Sequence, residues 1–255
     1  MPEATRPAPT HQPASDPEGA PDLSVVIPVY NERENLAPLR DELVPVMESL
    51  QRPFEILFIN DGSADGSDRI LRALKAEDRR IRVLTLQPNS GQTAAMSAGF
   101  AAAKGGIVVT LDADLQNDPR DIPLLVEKIA DYDAVVGWRG SRQDSWIRKV
   151  SSRLGNAVRN ALSQDDIIDT GCTLKAYRRD ALLRVKLFTG MHRFLPTLLK
   201  MEGYRVCQVK VGHRPRLHGE SKYGVRNRLT RTFVDLLAVR WMKRRTLRYR
   251  VTEEE

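Results

Sequence analysis

Apolar runs that alternate with segments of helical periodicity constrain the fold of this chain more than any other feature. Five runs have the length and composition of buried strands, and they lie at 23–29, 54–60, 81–86, 107–111 and 134–138. The intervening apolar residues recur at helical spacing, which predicts helices near 34–50, 66–78, 92–104 and 120–131. This alternation predicts an α/β fold with a mostly parallel central sheet and helices on both of its faces.

The length and composition predict one folded domain with an extension at each end. The 255 residues suffice for a substantial core, whereas residues 1–22 contain six prolines and few large apolar side chains. We therefore expect a disordered tail at 1–22, a folded domain at 23–224, and a basic amphipathic helix with a tail at 225–255. There is no signal-peptide core and no run of ~20 apolar residues. A cytoplasmic protein is expected, neither secreted nor transmembrane.

Positive charge is concentrated near the C-terminus. The net charge is +7, and residues 226–250 contain nine Lys or Arg residues against a single acid, Asp235. Because the excess is confined to one segment, a nucleic-acid partner is not expected. Cys172 and Cys207 are too few for a disulfide framework, and the four histidines show no zinc-binding pattern.

Polar segments follow each of the first four predicted strands. They are Tyr30-Asn31-Glu32, Asn60-Asp61-Gly62-Ser63, Asn89-Ser90-Gly91-Gln92 and Asp112-Ala113-Asp114-Leu115-Gln116. Each segment alone is explained by turn and helix-capping chemistry. The carboxyl ends of parallel strands meet at one sheet edge, where such folds bind ligands. The four segments together therefore predict a binding site.

The segment after the fourth strand predicts a divalent cation site. Alternate residues of an extended chain point the same way, so Asp112 and Asp114 offer oxygens to Mg²⁺ or Mn²⁺, with Gln116 as a third neighbour. Such a cation would hold a diphosphate. An EF-hand is excluded because its sixth and twelfth positions are Asn117 and Pro123, and Walker A and dinucleotide fingerprints are absent. A polar loop with a capping Asp is the alternative for this segment alone.

Three of these motifs, in this order and spacing, resemble family 2 glycosyltransferases of the GT-A fold. They are Val26-Ile27-Pro28-Val29-Tyr30-Asn31-Glu32 and the segments at 60–63 and 112–116, and the resemblance runs from about 23 to 224. The segments at 171–172, 175–179 and 216–223 are similar to polyprenyl-phosphate sugar transferases, including dolichyl-phosphate mannose synthase. The segment at 142–146 is most similar to the bacterial undecaprenyl-phosphate enzymes of this group. The resemblance implies a GT-A-type nucleotide-diphospho-sugar transferase.

The resemblance also implies a role for individual positions. Those implied to hold the nucleotide are Pro28, Tyr30, Glu32, Asp61, Gly62, Ser63 and Asp112. Those implied to hold metal and diphosphate are Asp112, Asp114 and Gln116. Those implied to close over the phosphates are Arg216, Ser221 and Lys222. Those implied to face the phosphate of the lipid acceptor are Arg139 and Arg148, although a solvated arginine explains Arg148 equally well.

The resemblance further implies a single displacement with inversion at the anomeric carbon, with Asp114, Arg139 and Arg216 as the catalytic residues. A hydroxyl acceptor would need a carboxylate base, whereas a lipid phosphate is already anionic and needs only positioning by Arg or Lys. Enzymes that extend saccharides place an acidic pair at the head of a late helix, where this chain reads Met191-His192-Arg193-Phe194. Basic residues at this place favour a polyprenyl phosphate acceptor such as undecaprenyl phosphate.

Two alternatives stay open. The first is a transferase that acts on a saccharide or lipid hydroxyl, and the second is a catalytically silent, membrane-associated binder of a nucleotide sugar. For the donor, a UDP-sugar is favoured and GDP-mannose is kept open. A homo-oligomer is also compatible with the sequence.

The C-terminal segment predicts contact with a membrane surface. Leu229, Phe233, Leu236, Leu237 and Trp241 form an apolar stripe at helical spacing among many basic residues. A basic amphipathic helix with a tryptophan inserts its apolar face among lipid headgroups. We therefore expect a peripheral protein on the inner face of the cell membrane. The alternative is a terminal helix packed on its own domain or on a second subunit.

Overall fold

The computed structural model describes residues 20–140, 166–216 and 225–245, with side chains in the last range from Phe233 onward. Its strands are β1 (Leu23–Val29), β2 (Phe54–Asn60), β3 (Ile81–Thr85), β4 (Ile107–Thr110), β5 (Ala134–Arg139), β6 (Lys175–Arg178) and β7 (Val206–Val211). Its helices are α1 (Arg33–Ser49), α2 (Ser67–Glu77), α3 (Gln92–Ala102), α4 (Ile122–Lys128), α5 (Arg179–Arg184), α6 (Leu195–Met201) and α7 (Val225–Arg245). Two 3₁₀ turns lie at Pro119–Asp121 and Met191–Phe194.

The strands form one twisted layer in the order β3-β2-β1-β4-β6-β5-β7. Every neighbouring pair is parallel except the two that involve β6, which runs antiparallel to β4 and to β5. The carboxyl ends of the other strands therefore lie at the same edge as the amino end of β6. This edge gathers the loops that follow β1, β2, β4 and β5 and the segment that precedes β6.

Each face of the sheet is covered by helices with a buried apolar stripe. On one face α1 buries Leu36, Leu39, Leu43 and Met47, which recur at helical spacing. Burial of each such side chain contributes about 1.5–3 kcal/mol. On the other face α3 packs so closely that a Cβ on Gly99 would overlap Val26 of β1. This close approach fixes the amino end of α3 at the ligand-binding edge.

The predicted fold class is confirmed, and most predicted bounds agree with the structure to within two residues. The fourth predicted helix is shorter than expected, because i→i−3 hydrogen bonds turn the chain after Lys128 and a 3₁₀ turn precedes Ile122. The strands β6 and β7 were not predicted. The four residues of β6 have basic side chains at both ends, and β7 is a half-buried edge strand with mixed polar and apolar residues.

Helix α7 has one face on the domain and one face exposed. Leu236 and Val239 are buried against Met191, Phe194 and Leu198. From Phe233 onward, the exposed apolar side chains of the helix are Phe233, Val234, Leu237 and Trp241, the last of which is 63% exposed. Among the helices in the described ranges, none combines the length and the apolar content that a membrane span requires.

Candidate active site

The loops after β1 and β2 are joined by hydrogen bonds at the sheet edge. The Asn31 amide donates to Oγ of Ser63 at 3.0 Å, and the Glu32 carboxylate accepts from the Asn35 side chain at 2.6 Å. Tyr30 is exposed at this edge, and Pro28 lies in β1 opposite Ile59. The structure therefore brings the predicted nucleotide residues Pro28, Tyr30, Glu32 and Ser63 to the same edge, and their contact with a nucleotide stays a prediction.

Asp61 anchors the next loop along the edge. Its buried carboxylate accepts hydrogen bonds from the amides of Ser90 and Gly91, at 2.7 and 2.8 Å, and from the Asn89 side chain at 3.0 Å. Gly62 has a φ of +71°, and a Cβ there would lie 3.0 Å from the Asn89 amide nitrogen. Asp61 and Gly62 thus fix the loop that leads into α3, a role that sequence reasoning did not assign to them.

Asp112 and Asp114 lie where β4 leaves the sheet. Oδ1 of Asp112 accepts from Nε2 of Gln92 at 3.0 Å, and Oδ2 of Asp114 accepts from Nη2 of Arg216 at 2.6 Å. The Gln116 amide donates to Oδ1 of Asp114 at 3.2 Å. The structure therefore brings together Asp112, Asp114, Gln116 and Arg216, but through a turn in which Leu115 has a φ of +61° rather than through the extended chain that the sequence predicted. We call Asp112, Asp114 and Gln116 the acidic clamp.

The electrostatics of the clamp favour a bound cation. Burial raises the pKa of Asp112, and the neighbouring charge of Asp114 raises it further, while the Thr173 hydroxyl and the charges of Lys175 and Arg139 oppose both effects. A carboxylate whose pKa is raised by a neighbouring carboxylate is stabilised as an anion by a positive charge placed between the two groups. A divalent cation at this place would remove the repulsion.

The donor set of the clamp fits Mg²⁺ or Mn²⁺. These hard cations prefer oxygen ligands, and Mg²⁺ is usually held by one or two carboxylates together with substrate phosphates and water. Two Asp carboxylates and the Gln116 amide oxygen supply that chemistry. The residues that the structure describes contain no group of three or more His, Cys, Asp or Glu side chains suited to a metal.

Arg214 attaches the segment after β7 to the clamp. Its amide donates to the Gln116 carbonyl at 2.9 Å, and its guanidinium pairs with Glu42 and Asp118 at 2.6 and 2.8 Å. These contacts position the segment so that Arg216, two residues further along the chain, pairs with Asp114. The segment is thus held beside the clamp at 212–216.

Arg139 extends from the end of β5 on the opposite side of Asp112. Its Nε and Nη2 donate to the two carboxylate oxygens of Asp169 at 2.7 and 3.0 Å, and both side chains are largely buried. Burial works to lower the pKa of Arg139, but the pairing with Asp169 outweighs it and the pKa is raised. A Cβ on Gly171 would lie 3.1 Å from Nη2 of Arg139. The glycine therefore leaves room beside the guanidinium.

Lys175 lies at the amino end of β6, underneath these groups. It is 3% exposed, and its ammonium donates only a long hydrogen bond, 3.5 Å, to the Thr170 carbonyl. Burial lowers its pKa to about 8, although Cys172, Asp169 and Asp112 raise it. Burial raises the pKa of the Cys172 thiol to about 11, so this cysteine is not a nucleophile at neutral pH.

The segment Met191-His192-Arg193-Phe194 forms the 3₁₀ turn at the head of α6. The Thr93 hydroxyl on α3 lies 2.7 Å from Nδ1 of His192. Burial, with the nearby charges of Arg193 and Lys175, lowers the pKa of His192 to about 3. The ring is therefore neutral at physiological pH.

Some predicted residues lie outside the described part of the chain, and some site residues were not predicted. Arg148, Ser221 and Lys222 fall outside the described residues. Sequence reasoning assigned no role to Asp169 or Lys175. A lysine between the apolar residues Leu174 and Ala176 was the available signal for Lys175. Nothing in the sequence separates Asp169 from other loop aspartates.

Sequence comparison finds a family and close relatives. A family described as glycosyl transferase family 2 matches residues 24–185. The chain is 37% identical over 238 residues to a dodecaprenyl-phosphate galacturonate synthase of Rhizobium johnstonii, covering 90% of this chain and 70% of the relative. It is 42% identical over 205 residues to an undecaprenyl-phosphate 4-deoxy-4-formamido-L-arabinose transferase of Aeromonas hydrophila subsp. hydrophila, covering 80% of this chain. The chain spans 63% of the length of that second relative.

Solved structures share the fold. Glucosyl-3-phosphoglycerate synthase from Mycobacterium tuberculosis, in complex with Mn²⁺, UDP and glucosyl-3-phosphoglycerate, has a TM-score of 0.66 at 20% identity, covering 88% of this chain and 80% of that chain. The same enzyme with Mg²⁺ and UDP has a TM-score of 0.63 at 20% identity, covering 86% and 79%. At this identity the likeness concerns the fold alone, and it confirms the predicted GT-A architecture.

Proposed function

Because this chain belongs to glycosyltransferase family 2, we propose that it transfers one sugar from a nucleotide diphosphate sugar to a polyprenyl phosphate such as undecaprenyl phosphate. The observation that supports the proposal most directly is the acidic clamp at the sheet edge, together with Arg139 at the end of β5. The names of the Rhizobium and Aeromonas relatives, which both specify a polyprenyl phosphate, support the acceptor class.

On the donor side, the clamp would hold the diphosphate through Mg²⁺ or Mn²⁺. When bound, the cation supplies Lewis-acid stabilisation of the charge that develops on the departing nucleoside diphosphate. Pro28, Tyr30, Glu32 and Ser63 would contact the base and ribose, and Asp61 and Gly62 fix the adjoining loop. A UDP-sugar is the favoured donor, and GDP-mannose is the second choice.

Arg216, which contacts Asp114 of the clamp, would also stabilise the leaving group. Its guanidinium lies 2.6 Å from Asp114, next to the place proposed for the diphosphate. Arginine suits this role because its planar guanidinium can donate two parallel hydrogen bonds to phosphate oxygens. Ser221 and Lys222 would extend the same contact.

On the acceptor side, Arg139 would receive the lipid phosphate. The bidentate pairing with Asp169 holds the guanidinium in one orientation through Nε and Nη2. Within the described ranges Nη1 has no hydrogen bond, and it would donate to a phosphate oxygen. The phosphate is already a nucleophile, so it needs positioning but no general base. Arg148 would add a second contact. A phosphate oxygen then displaces the nucleoside diphosphate in one step, with inversion at the anomeric carbon.

Helix α7 would hold the enzyme at the lipid surface, with residues 23–224 as the catalytic domain. Phe233, Leu237 and Trp241 recur every four residues along its exposed face. Arg244 and Arg245 follow in the last turn, which matches the negative charge of the inner leaflet of a bacterial membrane. The buried face of the same helix packs on the 3₁₀ turn beside the site, so the lipid surface would adjoin the acceptor entrance.

A donor screen tests the proposed reaction. The purified full chain is incubated with undecaprenyl phosphate, Mn²⁺ or Mg²⁺, and each of a panel of UDP-sugars and GDP-sugars, and release of nucleoside diphosphate and formation of glycolipid are measured. We expect one donor to be consumed with equimolar glycolipid. If no donor is consumed, the transferase proposal is wrong and a silent binder is favoured.

Liposome flotation tests the proposed role of α7. The double substitution Leu237→Ser and Trp241→Ser removes two exposed apolar side chains and leaves Leu236 and Val239 in place. We expect it to reduce binding to vesicles of phosphatidylglycerol and phosphatidylethanolamine at least tenfold. The control is Leu124→Ser, which removes an exposed leucine from α4. Equal binding of the double variant, the control and the wild type would contradict the membrane role.

A further inference from the structure

The first two side chains of α3 make different contacts on opposite sides of the site. Gln92 donates to Asp112 of the acidic clamp at 3.0 Å, and Thr93 contacts Nδ1 of His192 at 2.7 Å. Thr93 and His192 are both buried. The imidazole is therefore connected, through two adjacent residues of α3, to Asp112 of the acidic clamp.

The hydrogen bonds around Thr93 favour one tautomer of His192. The Gly190 amide donates to Oγ1 of Thr93 at 2.9 Å, so this oxygen acts as an acceptor on that side. Among the described residues, the only acceptor for the Thr93 hydroxyl proton is Nδ1 of His192. A neutral imidazole that accepts at Nδ1 carries its proton on Nε2. His192 therefore presents an N–H donor at Nε2.

The Nε2 atom is available for a ligand. Within the described part of the chain no hydrogen bond to Nε2 is present, and His192 is 8% exposed. Lys175 acts on both His192 and Asp112 through its charge, which places the imidazole and the clamp around the same buried ammonium. An N–H donor left unpaired at such a site has a large preference for a ligand that supplies an acceptor.

The 3₁₀ turn that contains His192 packs against helix α7. Its neighbours Met191 and Phe194 are buried against Leu236 of α7. Gly190 begins the turn with a φ of +87°, and a Cβ there would overlap the Asp235 carboxylate of α7. The imidazole orientation is therefore set by packing on one side and by the Thr93 hydrogen bond on the other, as a pre-organised binding group requires.

We propose that the Nε2–H of His192 donates a hydrogen bond to an oxygen of the sugar being transferred, and that His192 therefore contributes to the choice of donor sugar. This inference rests on the proposed function. A neutral imidazole with a proton on Nε2 is not a general base at that nitrogen, and it lacks the positive charge that suits a phosphate. A sugar hydroxyl, ring oxygen or carboxylate supplies the acceptor that the site would otherwise lack.

Binding measurements on His192 variants test the inference. Isothermal titration compares the nucleotide sugar that the wild type consumes with its nucleoside diphosphate, both in the presence of Mn²⁺. We expect His192→Phe to weaken binding of the nucleotide sugar about tenfold to a hundredfold and to leave binding of the nucleoside diphosphate within twofold, because only the sugar contact is lost. His192→Gln, which keeps a donor near the same position, should restore part of the affinity.

Variants of Thr93 provide the matched control. Thr93→Ser keeps the hydroxyl and should bind the nucleotide sugar as the wild type does, whereas Thr93→Val removes it and should show a smaller loss than His192→Phe. If His192→Phe binds the nucleotide sugar as tightly as the wild type does, the inference is wrong. It is also wrong if both ligands weaken equally, or if only the KM for the polyprenyl phosphate rises. Failure of the wild type to bind any nucleotide sugar would instead overturn the proposed function itself.

Discussion

The two sides of the site are held in different ways. On the donor side, formed by the loops after β1 to β4, the carboxylates of Asp61 and Asp112 accept hydrogen bonds from backbone amides and from a neutral Gln side chain. On the acceptor side, formed by Arg139 and residues 166–194, charges pair with each other or are buried, as in the Arg139–Asp169 pair and Lys175. The donor side thus keeps negative charge for a cation, and the acceptor side keeps positive charge for an anion.

The largest expected effect comes from removing one charge of the clamp. Asp114→Asn leaves a side chain of the same size but halves the negative charge available to the metal, so we expect kcat/KM to fall by on the order of 10²–10³. Steady-state transfer rates measure the effect, with thermal unfolding to verify the fold. The matched control is Asp131→Asn, an exposed aspartate. A loss of less than about fivefold would contradict the role of the clamp.

A substitution on the acceptor side should affect the other substrate. Arg139→Gln removes the guanidinium, and we expect the KM for polyprenyl phosphate to rise roughly tenfold to a hundredfold while affinity for the donor is unchanged. The control is Arg72→Gln, because Arg72 also pairs with an aspartate, Asp68, but on the surface of α2. An equal change in donor affinity would show that the two sides do not act separately.

A third substitution tests the donor-side loop. Asp61→Asn keeps one oxygen acceptor but places an amide group against the donors of Ser90, Gly91 or Asn89. We expect the free energy of unfolding to fall by roughly 3 kcal/mol, because buried donors lose a charged partner. Urea denaturation measures it. Unchanged stability would mean that the loop is not anchored by this carboxylate.

The smallest expected effect concerns pH. Burial lowers the pKa of His192 from 6.5 to about 3, so between these values the unfolded chain binds a proton that the folded chain does not. Folding stability is therefore lost as the pH falls below 6.5, while the neighbouring Lys175 and Arg193 stay charged. Relative to His192→Gln, the wild type should lose about 1.4 kcal/mol between pH 7.5 and pH 5.5. A difference that does not depend on pH would contradict the burial of a neutral imidazole.

The donor side was predictable because its strands are parallel and buried on both faces. Continuous apolar runs such as 54–60 identify these strands, and the polar residues that follow them then share one edge. Asp112, Asp114 and Gln116 could be placed together on that basis alone. The hydrogen bonds that Asp61 accepts from the loop before α3 could not be predicted, because the sequence does not show which of several polar groups a carboxylate contacts.

The acceptor side was harder to predict because its elements are short and depend on distant partners. The antiparallel strand β6 contains only four residues, and its pairing with β4 and β5 is what carries Lys175 under the clamp. The partner of Arg139 comes from a loop 30 residues further along the chain. The turn at 191–194 was noticed for its basic residues, but the Thr93 hydroxyl that orients His192 lies on the donor side and is visible only in three dimensions.

The central claim is that the sugar acceptor is a lipid phosphate, and one comparison tests it most directly. With the donor identified by screening and labelled in its sugar, the full chain is assayed with undecaprenyl phosphate, with undecaprenol, and with free saccharides. We expect label to enter the lipid only when the phosphate is present, and undecaprenol and saccharides to remain unlabelled. Transfer of label to undecaprenol or to a saccharide at a comparable rate would contradict the account.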